Sequence, residues 1–412
     1  MRKLVAVFIV CLLFAGTIQS VFGSGIDNKT NWSAGYARTM NRNAVYDSVD
    51  AAVYNPAGIG RFDSGLFIGA SNQSIFINYS HESAAELYEA KNPTLFLPSA
   101  FVIYKRDRLG FYGAFYVPAG GGRLKYDDSI VDLSEDLGLA PFDPSAELFG
   151  VYYAGTAGVV YALNDILSVS LGGRFICAKQ TTKFETETVM AGFPVGPFSG
   201  FNGETLVLDT KATATGFDAI IGLNLSPVSG LNIGIRFETN TPLEWEYDEV
   251  SGNLAPLQGI AEGDKYKRDL PALLGIGASY MVLPKLRAEA SLDLYLNKSA
   301  DWDGEEDDVK TGYAFGAAAE YAFLETLRAS AGFLYTKTGA DQETYLHLNP
   351  ALNSVTLCGG ALYRVNEKLS VELGVMKPFY SEDEGVSIIG SSPVDIDKSL
   401  WIIAVGAQYK IF

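Results

Sequence analysis

Four arginines lie in segments where apolar and polar residues alternate, and each falls on the polar side of its segment. They are Arg174, Arg236, Arg287 and Arg328. A guanidinium group pairs with a carboxylate through two parallel hydrogen bonds, so each arginine is a candidate anchor for the acid group of an amphipathic ligand. Acidic residues at equivalent polar positions could neutralise the arginines instead, and the sequence favours this structural role. These acids are Glu238, Glu289, Asp293, Glu320 and Glu372.

The acidic run 301–308 is a second group of side chains that could do chemistry. Carboxylate oxygens at this density could hold Ca²⁺. The spacing does not follow the EF-hand pattern, however, and a run of like charges is usually a solvated loop. The chain has two histidines, His81 and His347, which are too few for a zinc-binding cluster. We therefore predict no metal site and no cofactor.

Two cysteines follow the first two dozen residues, Cys177 and Cys358, and each lies inside an expected β-strand. The sequence does not decide whether they form a disulfide bond. Their surroundings favour small packing residues in a strand wall over a disulfide bond or a metal site.

All these residues are carried by a pattern that repeats from about residue 65 to the last residue. Apolar alternation, β-branched and aromatic enrichment, and flanking turn residues delimit fourteen strand-like runs. They are Gly65–Tyr79, Pro98–Arg106, Leu109–Pro118, Leu148–Leu163, Ile166–Glu185, Thr205–Leu225, Leu231–Val250, Lys265–Val282, Lys285–Lys298, Thr311–Phe323, Thr326–Lys337, Ser354–Arg364, Lys368–Tyr380 and Leu400–Phe412.

The connections between these runs alternate in length. Six are tight, such as Asp107-Arg108 and Asn164-Asp165, and the other seven are long. Antiparallel strands that cross an outer membrane have short turns on the periplasmic side and longer loops outside. The alternation predicts an all-β fold, a fourteen-stranded antiparallel transmembrane β-barrel with both chain ends on the short-turn side.

Side-chain parity divides the strands into two faces. In Leu286–Leu296 the even positions are leucine or alanine, whereas the odd positions are charged or polar, apart from Tyr295. In a barrel the apolar face meets lipid and the polar face lines the lumen. The same parity in the strands that hold Arg174, Arg236 and Arg328 directs all four arginines inward.

Composition agrees with a barrel. Hydrophobic residues make up 48% of the chain and the mean hydropathy is +0.11. After the first two dozen residues, no apolar stretch reaches the roughly 18 residues of a membrane helix. A soluble β-sandwich is the alternative, but its strands usually have about 5 or 6 residues, and many of the runs here are longer.

The first 23 residues have the features of a secretory signal peptide. A positive start precedes the apolar core Leu4–Phe14, and Val21-Phe22-Gly23 provides a cleavage site before Ser24. Cys11 lies too early for a lipoprotein anchor. Cleavage changes the formal charge from −17 to −19, because it removes two basic residues and no acidic one. An acidic mature protein is a poor partner for nucleic acid.

Residues 24–63 precede the first strand and are rich in small and turn-forming residues. The segment Asn43–Tyr54 is weakly helical, and Asn55-Pro56-Ala57-Gly58 must turn the chain, because proline excludes the helical conformation at the residue before it. Aromatic residues such as Tyr36 and Tyr54 give the segment something to bury, unlike a disordered tail. We predict a small hatch domain over 24–63, inside the bore of a barrel over 64–412.

Two stretches carry a family resemblance, Ala34–Ala37 and Asp50–Gly58. They resemble the N-terminal hatch of the FadL-type long-chain fatty acid transporters of outer membranes, a family that also includes aromatic-hydrocarbon uptake channels. Phe111–Gly122 and the pair Thr241-Pro242-Leu243 and Leu270-Pro271-Ala272 are also similar to the family. The resemblance covers essentially the whole mature chain.

The resemblance implies a channel in the outer membrane of a diderm bacterium, surrounded by outer-membrane lipid and acting as a monomer. A hydrophobic small molecule, such as a fatty acid or a hydrocarbon, would pass from the outer loops to a pocket beside the hatch. It would leave sideways through a gap made by a kink in the third strand. Nothing is hydrolysed in such a route, so the resemblance implies no enzyme activity. The hatch residues expected to form the gate are Asn55, Pro56, Ala57 and Gly58.

The candidates for the lateral opening are residues that weaken strand pairing. Proline cannot donate to a β-ladder and glycine adds no side chain to it. Pro118 and the glycines 120, 121 and 122 fall at the outer end of the third strand, whereas a deeper kink would need Gly110 or Gly113. The candidates are therefore Gly110, Gly113, Pro118, Gly120, Gly121 and Gly122.

Two other functions stay open. A general porin or structural barrel would use the same strands with an incidental hatch. An outer-membrane lipase would need a serine facing His81 or His347. The terminal Phe412 is expected to be recognised by the outer-membrane assembly machinery, although it lies outside the outward-facing set that ends with Tyr409 and Ile411.

Overall fold

The computed structural model describes residues 33–82, 86–127, 129–131, 143–187, 205–340, 351–381, 384–386 and 393–412. The predicted signal peptide and the first residues of the predicted hatch lie outside these ranges. Within them, nineteen strands form one sheet. They are β1 Gly65–Glu82, β2 Glu86–Ala90, β3 Pro93–Arg106, β4 Leu109–Tyr126, β5 Ile130–Val131, β6 Ser145–Ala162, β7 Leu167–Glu187, β8 Thr205–Leu225, β9 Leu231–Glu238, β10 Glu244–Ser251, β11 Lys265–Lys267, β12 Ala272–Leu283, β13 Leu286–Leu296, β14 Gly312–Ala322, β15 Leu327–Lys337, β16 Ser354–Arg364, β17 Leu369–Tyr380, β18 Glu384–Val386 and β19 Pro393–Lys410.

The sheet closes into an antiparallel barrel of fourteen crossings. The first and last strands pair along their length, from Phe67↔Lys410 to Glu82↔Asp395. Nineteen strands give fourteen crossings because β9 and β10 share one, β11 and β12 share another, and β2, β5 and β18 are short strands in the loops. The fourteen-stranded barrel predicted from the alternation of turns and loops is confirmed.

Two of the predicted strands are interrupted. The sequence predicts continuous strands over Leu231–Val250 and Lys265–Val282, but the chain leaves the ladder at residues 239–243 and 268–271. An isolated bridge between Thr241 and Leu270 joins the two breaks. Each break contains a proline, Pro242 or Pro271, which lacks the N–H that a central strand must donate.

The two faces of the strands follow the predicted parity. Along β13 the odd positions, from Arg287 to Tyr295, are buried, whereas the even positions are partly exposed on the outer surface. Large apolar side chains cover the outside of the barrel, and Phe217 and Trp401 are more than half exposed there. The closed wall thus presents an apolar exterior and a lumen that holds the charged side chains.

The hatch enters the lumen as two short helices and a 3₁₀ helix. α1 spans Ala34–Thr39, α2 spans Ala51–Tyr54 and the 3₁₀ helix spans Pro56–Arg61. The Ser33 hydroxyl caps α1 by accepting from the Tyr36 amide at 2.9 Å. The prediction of a helix over Asn43–Tyr54 is therefore wrong for residues 43–50, because polar and turn residues there make side-chain bonds to the wall instead.

In the described residues outside the hatch, helical structure consists of three single turns in the loops. They are α3 Ala255–Gln258 and the 3₁₀ helices Asn297–Ser299 and Glu305–Asp308. Within the described ranges, no helix has the length and apolar character needed to cross a membrane.

Candidate functional site

The hatch lies against glycines that face into the lumen. Hatch residues 34–57 follow the inner wall from strand to strand and meet a glycine on each of eight strands. These are Gly406, Gly374, Gly360, Gly332, Gly316, Gly277, Gly234 and Gly222. The closest approach is at Gly234, where a Cβ would lie 1.9 Å from the carbonyl oxygen of Asn43. The wall and the hatch backbone thus pack directly against each other.

A layer of buried ion pairs joins the hatch to the wall. Arg38 of α1 pairs with Glu320 and lies 3.6 Å from Glu372. Within the hatch, Arg42 binds Asp50 through Nη2 at 2.6 Å and Nε at 3.1 Å. Burial alone would raise the pKa of Asp50, but the charge and hydrogen bonds of Arg42 hold that pKa below its usual value. Buried and paired charges of this kind fix the hatch in one orientation.

The Asn55 turn is bound by side chains from two strands, β7 and β8. Asn55 Nδ2 donates to the carbonyl oxygen of Val45 at 2.9 Å and to Asn224 Oδ1 at 2.8 Å. The Ser168 hydroxyl donates to the carbonyl oxygen of Ala57 at 2.6 Å. A Cβ on Gly58 would lie 2.3 Å from the carbonyl oxygen of Val45, so this position requires glycine. The predicted gate residues are therefore brought together at one tightly packed corner, and their gating role stays a prediction.

The four candidate arginines all face the lumen, and all are paired with acids. Arg174 contacts Asp218 at 2.8 Å and Glu238 at 2.7 Å. Arg236 contacts Glu238 at 2.9 Å and also donates to two hatch carbonyls. A guanidinium that already binds carboxylates has less capacity for a ligand carboxylate.

The other two arginines bind acids of both the hatch and the wall. Arg287 contacts Asp47 at 2.8 Å and Glu289 at 2.8 Å. Arg328 lies 3.3 Å from Glu320 and 3.6 Å from the same Asp47. The arrangement matches the structural role that the sequence favours, and the role of any arginine as a ligand anchor stays a prediction.

Two cavities beside the hatch are polar. One of about 340 Å³ lies between the hatch and the short-turn ends of β16, β17 and β19, where Arg61, Lys368 and Lys410 line it. A smaller cavity of about 100 Å³ is lined by Arg38, Arg42 and other charged residues. Polar and charged linings of this kind suit water better than an apolar ligand.

An aromatic cluster occupies the lumen toward the long loops, beside Arg174, whose Nη1 donates to the Tyr116 hydroxyl at 3.3 Å. We define it by six buried side chains, Tyr116, Tyr152, Leu243, Trp245, Tyr247 and Tyr266. The ring of Trp245 lies 5.6 Å from that of Tyr152 and stacks on that of Tyr266 at 6.1 Å. This is an apolar surface with a few hydroxyl groups, the composition typical of sites for small hydrophobic ligands.

Sequence reasoning missed the aromatic cluster, although a signal was present. In β10 the outward positions include Glu244 and Glu246, and the inward positions include Trp245 and Tyr247. This is the reverse of the lipid-facing alternation used to assign the other strands. The reversal marks the part of the barrel that extends beyond the bilayer, where the outside is wet and the lumen can be apolar.

The wall has a window between β3 and β4. The ladder between these strands runs from Arg106↔Leu109 to Ala100↔Phe115 and ends there. Over residues 93–99 and 116–125, all of which the structure describes, the two strands form no ladder pair. Further out, the Asn92 side chain bridges to the next strand, accepting from the Lys125 amide at 3.0 Å and donating to the carbonyl of Arg123. The window is thus framed at both ends.

Each edge of the window is irregular. On β4, the ladder to β6 shifts register between Tyr116 and Ala119 and again between Gly120 and Arg123. Gly120 and Gly121 have φ angles of 67° and 91°, a left-handed conformation that favours glycine. Pro118 lies at the first of these register shifts, between Tyr116 and Ala119, where it needs no ladder partner. On β3, the ladder to β1 is irregular opposite Gln73 and Ile75.

The deeper candidates for the lateral opening lie in regular structure. Gly110 pairs with Lys105 and Val160, and Gly113 pairs with Val102 and Ala157. Neither glycine is at the break in pairing. The structure places that break at Pro118 and the glycines after it, and a role for the break in transport stays a prediction.

The acidic run 301–308 packs against the loop before β12. The Trp302 indole donates to the carbonyl of Asp269 at 2.9 Å, and Glu306 Oε2 accepts from the Trp302 amide at 2.8 Å. The carboxylates of Asp301 and Asp303 bind Lys267. Across the described ranges, no group of three or more His, Cys, Asp or Glu side chains could hold a metal ion.

The remaining candidate residues are separated in space. Cys177 is exposed on the outer surface, whereas Cys358 is buried, and both are free thiols. His81 is buried beside the ring of Tyr126, at 6.1 Å between centroids, and His347 lies outside the described residues. Phe412 follows the end of β19 and is 63% exposed, so its side chain is accessible on the short-turn side.

Comparisons by sequence find no relative. No family model matches the chain, and no curated protein matches it significantly.

Several solved channel structures match nearly the whole fold. A Pseudomonas aeruginosa FadL homologue has a TM-score of 0.71 at 14% identity, covering 95% of this chain and 100% of the homologue. The P. putida toluene transporter TodX has a TM-score of 0.69 at 13% identity, covering 94% and 99%. The Ralstonia pickettii toluene transporter TbuX has a TM-score of 0.62 at 14% identity, covering 96% and 99%. The chain therefore has the fold of the FadL-type channels that its sequence resembles.

Proposed function

We propose that this chain is an outer-membrane channel for the passive uptake of hydrophobic compounds. A ligand is collected at the aromatic cluster and leaves through the window between β3 and β4 into the membrane. Long-chain fatty acids are the cargo that we propose first, and aromatic hydrocarbons are the second class to test. The similar solved structures include two toluene transporters, which supports a hydrophobic cargo.

The observation that carries the proposal is the position of the window. The break in pairing begins at Tyr116, and Tyr116 is also a member of the aromatic cluster. An apolar surface in the lumen is therefore continuous with the one place where β3 and β4 leave their ladder. The hatch fills the lumen beyond this point, so a ligand at the cluster faces the wall rather than an open pore.

The physical chemistry of an apolar cargo suits a lateral exit. Moving apolar surface out of water is favourable by roughly 25 cal/mol per Å². A ligand that passes from an apolar cluster into the bilayer core does not return to water on the way. The gradient of the ligand can drive this movement, and a small shift of the hatch or of the window edges can control it.

The two alternative functions have less support. A general porin needs an aqueous path, whereas here the glycines and ion pairs hold the hatch across the lumen. A lipase needs a histidine beside a serine. Of the two histidines, the described one, His81, is buried against Tyr126.

Uptake by cells tests the proposal. The full chain is expressed in the outer membrane of a diderm host that lacks its own channel for hydrophobic compounds, and uptake of labelled palmitate and toluene is measured. We expect uptake above that of cells without the protein, and loss of uptake when Asn55, Pro56 and Ala57 are replaced together. Uptake equal to that of cells without the protein would refute the proposal. If the cells take up sugars as well as they take up the hydrophobic probes, the result would favour a porin.

A further inference from the structure

Two aliphatic side chains close the window between β3 and β4 from the inside, and the larger is Leu97. Leu97 of β3 is 4% exposed and points into the lumen, whereas its neighbours Leu95 and Phe96 are 59% and 73% exposed on the outer surface. Across the window, a Cβ on Gly121 would lie 2.4 Å from Leu97 Cδ1. The isobutyl group of Leu97 thus fills the space that the absent side chain of Gly121 leaves.

Val117 completes the closure. Its Cγ1 lies 3.3 Å from the same Cβ position on Gly121, and its side chain is almost completely buried. Leu97 and Val117 both belong to the apolar core that surrounds the hatch. Two aliphatic side chains therefore meet where the ladder between β3 and β4, which ends at Ala100↔Phe115, is missing.

The backbone of β3 beside Leu97 is held by polar side chains of β1. Asn72 Oδ1 accepts from the Leu97 amide at 3.0 Å, and Asn72 Nδ2 donates to the carbonyl oxygen of Leu95 at 3.1 Å. The Ser74 hydroxyl donates to the same carbonyl at 2.8 Å. Backbone groups that face lipid must be satisfied within the protein. Asn72 and Ser74 thus bind the Leu97 amide and the Leu95 carbonyl from the β1 side.

We propose that the Leu97 side chain is the gate of the window and sets the width of the molecules that pass through it. Rotation of the Leu97 side chain widens the gap beside Val117, and the backbone stays in place because the Leu97 amide and the Leu95 carbonyl are bound to Asn72. Leucine side chains change rotamer without moving the backbone, so the gate needs no unfolding of the wall. This inference rests on the proposed function, and it assigns the size selection to one residue of β3.

Leu334 provides a matched control on another part of the wall. Its Cδ1 lies 2.9 Å from the Cβ position of Gly316, and its side chain is buried in the same apolar core. There, however, Gly316 and Leu334 are direct partners in an intact ladder. Substitution of Leu334 changes the core packing without changing a window.

A size series at residue 97 tests the gate. Leu97→Ala, Leu97→Phe and Leu97→Trp are expressed in the host described above, and the uptake of pyrene is compared with that of the narrower toluene. We expect the ratio of pyrene to toluene uptake to fall steadily from Ala to Leu, Phe and Trp. We expect a replacement of Leu97 that differs this much in size to change the ratio of pyrene to toluene uptake by about tenfold. Leu334→Ala should leave the ratio unchanged.

The outcomes separate the gate from the channel. If the wild-type protein takes up both probes but the ratio does not follow the size of residue 97, the gate is refuted and the channel stands. If Leu334→Ala shifts the ratio as much as Leu97→Ala, the effect comes from core packing and the gate is again refuted. If the wild-type protein takes up neither probe, the proposed function is refuted, and the gate with it. Heat-modified migration on gels identifies the variants that form folded barrels. If Leu97→Trp does not fold, the comparison uses Leu97→Phe, which is the milder enlargement.

Discussion

Arg236 of the barrel wall donates a hydrogen bond of 2.7 Å from Nη1 to the carbonyl oxygen of Tyr54 in the hatch. The same nitrogen donates to the carbonyl oxygen of Val53 at 2.8 Å. Tyr54 is the last residue of α2, so these bonds satisfy carbonyls at a helix end that lack a partner within the helix. Glu238 holds the other side of the guanidinium at 2.9 Å. A single wall arginine thus fixes the position from which the Asn55-Pro56 turn begins.

Replacing Arg236 with methionine should loosen the hatch. The substitution leaves Glu238 with one arginine partner fewer and removes both bonds to the hatch carbonyls. Removal of one partner from a buried charge pair typically costs about 3–5 kcal/mol. We expect faster hydrogen exchange at the amides of residues 53–58, measured by mass spectrometry. Arg328→Met is the control, because the Arg328 side chain is 31% exposed and its ion pairs should contribute less. Equal exchange in the two variants would contradict the role of Arg236.

The Arg42–Asp50 pair should make the hatch sensitive to acid. The pKa of Asp50 is lower in the folded protein than in the unfolded chain, because Arg42 stabilises the carboxylate despite its burial. Its stabilising effect is therefore complete above the unfolded pKa of about 3.9 and is lost as the pH falls through the lower folded pKa. We expect protection of the α1 amides against hydrogen exchange to persist from neutral pH to about pH 4, and to decrease in stronger acid.

Asp50→Asn separates this pair from other acid effects. The amide keeps the shape of the side chain but leaves Arg42 without its charged partner. Protection of α1 should already be reduced at neutral pH, and the further decrease in acid should be smaller than in the wild-type protein. An acid profile identical to that of the wild-type protein would show that other carboxylates control the hatch.

Gly234→Ala tests the close contact between hatch and wall. The added Cβ would lie 1.9 Å from the carbonyl oxygen of Asn43, a backbone atom that cannot rotate away. Overpacking of this kind typically costs about 1–3 kcal/mol. We expect the heat-modified band shift on gels to be lost at a lower temperature. Hydrogen exchange at residues 43–45 should also be faster. Gly155→Ala is the control, because a Cβ there meets no atom within 4 Å. Equal effects of the two substitutions would contradict the packing argument.

The strands could be predicted where one residue pattern decides the structure. β13 alternates leucine and alanine with charged residues, and its two faces are as expected. The pattern fails where lipid no longer surrounds the barrel, because Trp245 and Tyr247 then turn inward and the acids outward.

The window and the hatch were predicted only in part. Pro118 and the glycines after it mark a weak strand, but the depth at which pairing stops depends on Asn92 and Asn72, whose bonds are set by the fold. The hatch helix α1 was missed because Ala34–Thr39 is short, and its stability comes from the wall rather than from helix propensity.

Asp269 should hold the outer loops together. Its carboxylate accepts from the Leu243 amide at 2.8 Å and from the Asp301 amide at 3.1 Å, and so joins the break before β10 to the acidic run. Burial raises the pKa of this carboxyl group. Asp269→Ala removes both acceptors and should expose the loop 301–308 to limited proteolysis, with the barrel itself intact on gels.

Asp248→Ala is the control, since Asp248 lies on the exposed outer face of β10. Because Leu243 belongs to the aromatic cluster, Asp269→Ala should also reduce quenching of tryptophan fluorescence by a bound hydrophobic probe such as pyrene. Unchanged proteolysis and unchanged quenching would show that the loops are held by the Trp302 contacts instead.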